Sequence, residues 1–147
     1  DFIDSFKINT LGAINVIKLN QKNLENNNGS ILLFSTIAVK QGFTNHSIIS
    51  TAKGAIEGLT LSLAAEFAPK IRVNCIAPSL TDAKMTQNLI SNVTIKKAIE
   101  NMHPLPKIGS GDDFSDIGSF LLSTRNNWIT GQIFHIDGGR STLRIKS

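Results

Sequence analysis

The chain has 147 residues, 41% of them hydrophobic and 18% charged, a composition that suits one compact domain over residues 1–147 burying roughly 68–70% of its unfolded surface. The formal charge of +4 comes from scattered lysines and arginines, clustered only at Lys96-Lys97 and in the tail "RSTLRIKS"; without aromatic-basic alternation this argues against nucleic acid as a partner. No apolar run is long enough to cross a bilayer and no charged-then-apolar leader opens the chain, so a membrane location is not expected.

The single cysteine, Cys75, cannot form an internal disulfide and suits a reducing, cytoplasmic compartment. Its ordinary role is that of a small buried hydrophobe. The first residue is Asp1 and not Met, so the chain reads as a fragment or a processed piece. The N-x-S/T triplets at Asn28, Asn45 and Asn92 read as chance matches in an Asn-rich chain.

Taken in order, Phe2, Phe6, Leu11, Ile14, Ile17 and Leu24 recur at helical spacing, and "ENNNGS" then breaks the pattern as a turn. "SILLFS" is a short continuous apolar run, as expected of a strand buried on both faces. A helix from about Asn45 to Phe67 stops near Pro69. "IRVNCIAPS" reads as a second buried strand, and residues 83–101 as a weakly specified helical stretch. "GSGDDFSDIGSFLLS" predicts a helix with Ser110 at its N-cap and acids in the first turn, where the helix dipole favours them. "GQIFHIDGG" closes as a third strand ending in a glycine pair.

Short buried strands separated by helices predict an α/β fold with a parallel, doubly wound sheet. "SILLFS" is too apolar for an exposed edge, so its other side is expected to pair with a strand this sequence does not contain. Ligands of such sheets sit at the carboxyl ends of the strands, which directs attention to "FSTIAV" and "APSLTDAKM". "GSG" at 109–111 lacks the spacing of a phosphate loop and serves as a helix start. Gly54, Ala55, Gly58 and Leu59 form a small-residue helix face, expected to pack closely against the sheet.

The segments "INTLGAINV", "GSILLFSTIAVKQGFTNHSIISTAKGAIEGLTLSLAAEFAPKIRVNCIAPS", "HPLPKIGSGDDFSDIGSFLLS" and "WITGQIFHIDGG" together resemble the second half of the short-chain dehydrogenase/reductase family. The resemblance implies a partial Rossmann-like sheet missing its N-terminal βαβ half, and with it the glycine-rich dinucleotide loop. In that family a Tyr moves the proton of an alcohol or carbonyl oxygen during hydride transfer. A Lys one helical turn later favours the phenolate and holds the cofactor ribose. A Ser binds the substrate oxygen, and an Asn orders a water behind the Lys.

Carried over by position, the resemblance makes Asn9, Thr36, Ile49 and Lys53 the catalytic positions, and Lys53, Pro78, Ser79, Leu80 and Thr81 the cofactor contacts. The cofactor implied is NAD or NADP. Thr36 keeps a hydroxyl where the family has Ser, but Ile49 stands at the Tyr position and the chain contains no tyrosine. Ser79 replaces a family Gly, and Ala83 stands where a Thr meets the nicotinamide amide, with Thr81 two residues away as a substitute.

The reading is an NAD(P)-dependent oxidoreductase acting on a small alcohol or carbonyl, impaired by the absent Tyr and front half, in a homo-oligomer; the alternative is a non-catalytic oligomer subunit or interaction scaffold. The small-residue face of the 45–67 helix doubles in this family as a helix–helix dimer interface. His46, Ser47 and Ser50 are weaker proton donors near the same helix start, and His46 reads as a capping or solvent-facing residue. Neighbouring Ser35 is a second hydroxyl beside Thr36.

Overall fold

A computed structural model describes residues 1–144; the end of the basic tail, 145–147, lies outside the described residues. Helix α1 (Phe2–Phe6) runs through a π turn (Lys7–Leu11) into α2 (Gly12–Asn26), and β1 (Ser30–Phe34) follows. Next come α3 (Ser47–Phe67), β2 (Arg72–Pro78), a 3₁₀ turn at Lys84–Thr86, and the helices α4 (Gln87–Ile90) and α5 (Val93–Glu100). Helix α6 (Asp112–Leu122) and β3 (Ile133–Ile136) close the order.

The strands form one parallel sheet in the order β1-β2-β3, with Leu33 opposite Cys75 and Ala77 opposite His135. The α/β class and parallel sheet expected from the sequence are observed. Strand β2 is central, and Val73 through Ala77 are fully buried. Its alternating side chains serve two faces. Val73 and Cys75 join Ile17 of α2 and Ile56 and Ala64 of α3 in the main core cluster. Helix α6 covers the opposite face, where Gly118 lies against Leu32 of β1. Among the described residues β1 has a partner on one edge only, and its last residue, Phe34, is 47% exposed.

Two polar side chains of β2 hold the segment that leads into β3. Arg72 donates to the carbonyls of Leu121 (2.8 Å) and Ser123 (3.1 Å), placing a cation at the C-terminus of α6, where the helix dipole favours it. Asn74, fully buried, donates to the Ile129 carbonyl and accepts from the Gln132 N–H. A buried amide satisfied on both sides in this way stabilises the loop that delivers β3.

Three details differ from the sequence expectation. Gly111, not Ser110, is the N-cap of α6; Ser110 sits one residue earlier and donates its N–H and hydroxyl to Asp113. The face of α3 that meets the sheet is Ala52, Ile56, Thr60 and Ala64, and Gly58 looks into open space. The first helix is interrupted by its π turn. Asn28 and Asn45 take left-handed φ values of 47° and 63°, a conformation asparagine tolerates, and Asn92 caps α5 through Thr94 and Ile95.

Replacing Asn74 with Leu leaves the partly buried Ile129 carbonyl and Gln132 N–H without this partner, so a loss of about 1–3 kcal/mol is expected in urea unfolding of the chain. An unchanged midpoint would show that Asn74 does not anchor the approach to β3.

Candidate active site

Chemistry-bearing side chains gather at the carboxyl ends of β1 and β2. The loop leaving β1 is tied to β2 by the Ile37 N–H on the Pro78 carbonyl (3.0 Å) and to the first turns of α3 by the Ser50 hydroxyl on the Ala38 carbonyl (3.1 Å). Thr36 is half-buried there, and its hydroxyl oxygen accepts the Ala38 N–H at 3.3 Å. That bond uses a lone pair and leaves the hydroxyl proton available. Ser35 is buried and donates to Glu57 at 2.6 Å, so its hydroxyl faces α3 as a structural tie.

Ile49 and Lys53 lie one helical turn apart on α3. Lys53 Nζ donates to the Phe34 carbonyl at 3.0 Å. The Ser35 N–H pairs with β2 through Ile76, so parallel alternation turns the Phe34 carbonyl toward the open edge of β1. Lys53 therefore sits on that open edge, at the end of the strand. Burial lowers its pKa, with Cys75 acting in the opposite sense. The Cys75 thiol is itself pushed up to about 11, first by burial and then by Glu57; it is a buried, inert thiol at neutral pH.

Asn9 lies in the π turn, where the Gly12 N–H reaches back to the Lys7 carbonyl. Its side-chain amide donates to the Ser5 carbonyl at 3.0 Å. Thr10, buried beside it, donates to the Ala52 carbonyl of α3 at 3.0 Å. One hydrogen bond thus anchors the π turn to the residue before Lys53. Such turns occur often at functional sites. His46 is exposed at the N-cap of α3, with its ring edge-on to Phe43 and Nδ1 on the Thr44 carbonyl, as expected of a solvent-facing residue.

Beyond β2, Ser79, Leu80 and Thr81 line a cavity of about 200 Å³ together with His103, Phe114 and Asp137. Thr81 donates its hydroxyl to the Ser79 carbonyl, and its backbone bridges to Gly109. Ala83 is exposed and contributes nothing to this cavity. His103 is buried and absent from the sequence-level candidates. Its Nδ1 meets the Ile99 carbonyl at 2.8 Å, which requires a proton on Nδ1; in the neutral ring Nε2 then accepts the Ser79 hydroxyl at 2.8 Å. No local pattern marks His103, because its partner is a distant residue that replaces a glycine.

Lys53 has two further N–H donors, and the Ser79–Thr81 backbone borders a small cavity, which fits the nicotinamide-ribose end of a dinucleotide. Among the described residues no glycine-rich loop cradles a pyrophosphate, so the fit is to that end alone. No helix among the described residues is long and apolar enough to cross a membrane, and no group of acidic, histidine or cysteine side chains has a metal-binding arrangement.

The family described as Enoyl-(Acyl carrier protein) reductase matches this chain over residues 1–141. The chain is 34% identical over 138 residues to L-xylulose reductase of Bos taurus, covering 92% of this chain and 57% of that protein. It is 35% identical over 118 residues to a chloroplastic tropinone reductase homolog of Arabidopsis thaliana, covering 80% of this chain and 37% of the relative. Among solved structures, ElxO with NADP bound superposes with a TM-score of 0.84 at 32% identity, covering 92% of this chain and 56% of that one. A short-chain type dehydrogenase/reductase from Mycobacterium ulcerans gives a TM-score of 0.86 at 26% identity, over 95% and 51% of the two chains. The chain spans about a third to a little over half the length of these relatives. It belongs to the short-chain dehydrogenase/reductase family.

Asp137 holds the turn after β3 by accepting the N–H groups of Gly139 (2.9 Å) and Ser141 (2.8 Å). Burial raises its pKa, but bonding from Ser141 and Gly139 and the nearby His135 outweigh it, and the net shift is downward. A lowered carboxylate stabilises the fold above its unfolded value near 3.9, and that contribution disappears as pH falls through the lower folded value. Asp137→Asn is expected to cost about 1–3 kcal/mol at pH 7 and to flatten the stability profile below about pH 4, measured by urea unfolding. A variant that keeps the wild-type acid limb would contradict this assignment.

Proposed function

We propose that this member of the short-chain dehydrogenase/reductase family is the carboxyl-terminal portion of an NAD(P)-dependent oxidoreductase that interconverts an alcohol and a carbonyl, with its proton-transfer step weakened. The observation that carries the reading is the meeting of Thr36, Lys53 and the Ser79–Thr81 segment at the carboxyl end of a parallel sheet, where ligands of such folds bind. On this reading residues 1–147 form one domain, and the open edge of β1 receives the strand of a dinucleotide-binding front half. Exposed apolar residues on α2, Val16 and Leu19, support a homo-oligomer, and the buried free thiol supports a reducing, cytoplasmic setting.

When bound, the cofactor supplies or accepts the hydride. Thr36 directs its free hydroxyl proton at the substrate oxygen. Lys53 keeps one N–H on the Phe34 carbonyl, turns the others to the ribose hydroxyls and holds positive charge beside the reacting oxygen. Asn9 steadies the π turn that packs against α3. Pro78, Ser79, Leu80 and Thr81 would hold the nicotinamide end. Ile49 offers no proton, and positioned acid-base catalysis is worth roughly 10²–10⁴ in rate. A second reading, a non-catalytic subunit or scaffold, is favoured by Ile49 and by the exposure of Ala83 at the nicotinamide-side Thr position.

In a protein carrying a complete front half, Ile49→Tyr is expected to raise NAD(P)H-dependent ketone reduction by roughly a hundred- to ten-thousandfold. No gain across a panel of ketones would favour the scaffold. The chain by itself is expected to give no micromolar fluorescence titration with NADH or NADPH, because no glycine-rich loop among its described residues cradles a pyrophosphate; micromolar binding would contradict that.

A further inference from the structure

Arg140 follows the glycine pair in the turn after β3. Gly138 and Gly139 have φ values of 61° and 85°, and a Cβ on Gly138 would come within 3.1 Å of the Leu105 carbonyl. This turn, open only to glycine, folds the chain back so that Arg140 reaches Ser79 at the end of β2. Its guanidinium is half-buried, with Nη1 3.4 Å from the Ser79 hydroxyl and Nη2 3.4 Å from the Met102 sulfur. It also stacks on the Phe43 ring, with 4.8 Å between Cζ and the centroid.

These are weak acceptors for a group with five N–H donors. Among the described residues no carboxylate approaches Arg140 within ion-pair distance; the salt bridges are Lys96 with Glu100 and Lys107 with Asp113. The nearest acid in sequence, Asp137, is occupied by the N–H groups of Gly139 and Ser141. Burial lowers the Arg140 pKa, and the charge of Asp137, beyond ion-pair distance, acts in the opposite sense.

Arg140 opens on a shallow cleft of about 490 Å³ that it lines with Gln41, Phe43, Met102 and Arg144. A short run of hydrogen bonds links this cleft to the candidate reaction centre. The side chain of Gln41 donates to the carbonyls of Arg140 and Ser141, and its backbone N–H meets the Ile37 carbonyl, one residue beyond Thr36. Ser79 joins Arg140 to the cavity beside His103. A second positive charge, on exposed Arg144, faces the same space.

We propose that Arg140, supported by Ser79 and Phe43 and assisted by Arg144, is a binding site for an oxyanion carried by the substrate, so that the substrates are carbonyl or alcohol compounds bearing a carboxylate or phosphate. This rests on the oxidoreductase reading for the identity of the substrate, but not for the anion site itself. A planar guanidinium fork suits either oxyanion. The Ser79 hydroxyl, turned to His103 as donor, presents lone pairs to Arg140 and holds the fork toward the cleft.

The test is an NMR titration of the chain, following the Arg140 side-chain Nε–H and the backbone N–H groups of Gln41 and Ser79. The probes are 4-oxopentanoate, the neutral ketone 2-pentanone, and inorganic phosphate. Saturable shifts with 4-oxopentanoate but not with 2-pentanone are expected. Arg140→Gln should weaken binding at least about tenfold, and Arg140→Lys, which keeps charge but not the fork, should weaken it less. Displacement of 4-oxopentanoate by phosphate would support a general oxyanion site, and no displacement a carboxylate site. Equal shifts with 2-pentanone, or no Arg140-dependent shift with either anion, would overturn the proposal. Arg140→Lys keeps the test decisive if the Gln variant fails to fold. Because no hydride transfer is measured, that result would leave the oxidoreductase reading standing.

Discussion

The burial of β2 on both faces, with a paired strand on each edge, is the constraint from which the rest of the structure follows. Its five central residues are shut off from solvent, so a polar side chain among them must meet a partner. Asn74 answers with both polar groups of the approach to β3, and Arg72, just before them, meets the C-terminal carbonyls of α6. Pro78 then ends the strand without an N–H of its own while its carbonyl receives Ile37 from the loop after β1. The same strand therefore positions the two helical layers and brings two loops together at its carboxyl end.

At that end, the departures from the family pattern have different physical consequences. Ile49 removes a proton donor from the turn preceding Lys53 and puts nothing polar in its place. Ser79, where the family has glycine, adds a hydroxyl that couples buried His103 to Arg140. One position is apolar, and the other adds a polar connection between the strand end and the turn after β3. Lys53 remains on the open edge of β1, capping a carbonyl that the three-stranded sheet leaves without a strand partner. The strand end keeps the Lys53 ammonium and the hydroxyls of Thr36 and Ser79, with an apolar side chain at position 49.

Much of the scaffold was legible because its signals are local. The run "SILLFS" and the segment "IRVNCIAPS" are continuous apolar stretches of strand length, and Pro69 marks the end of α3. Family spacing identified Asn9, Thr36, Ile49 and Lys53 as positions to watch, and the fold brings Thr36 and Lys53 to one strand end. What escaped depends on distant partners. The π turn around Asn9 is fastened by Thr10 to Ala52, and nothing in "KINTL" signals it. Ser110 has the residue type of an N-cap, yet Asp113 draws its N–H and hydroxyl and the helix starts beyond it. Small residues on α3 suggested contact with the sheet, but Ile56 and Thr60 define the buried face. His103 and Arg140 become functional candidates only when the fold sets them around Ser79.

Lys53 and Ser79–Thr81 are proposed to hold the nicotinamide-ribose end of a cofactor. The most direct measurement is a titration of the isotopically labelled chain with reduced nicotinamide mononucleotide, which has the ribose and nicotinamide but not the adenylate. Weak, saturable shifts confined to Lys53, Ser79, Leu80, Thr81 and their neighbours are the predicted result. An absence of shifts at these residues, or saturation at a different face of the sheet, would rule out a cofactor site at Lys53 and Ser79–Thr81.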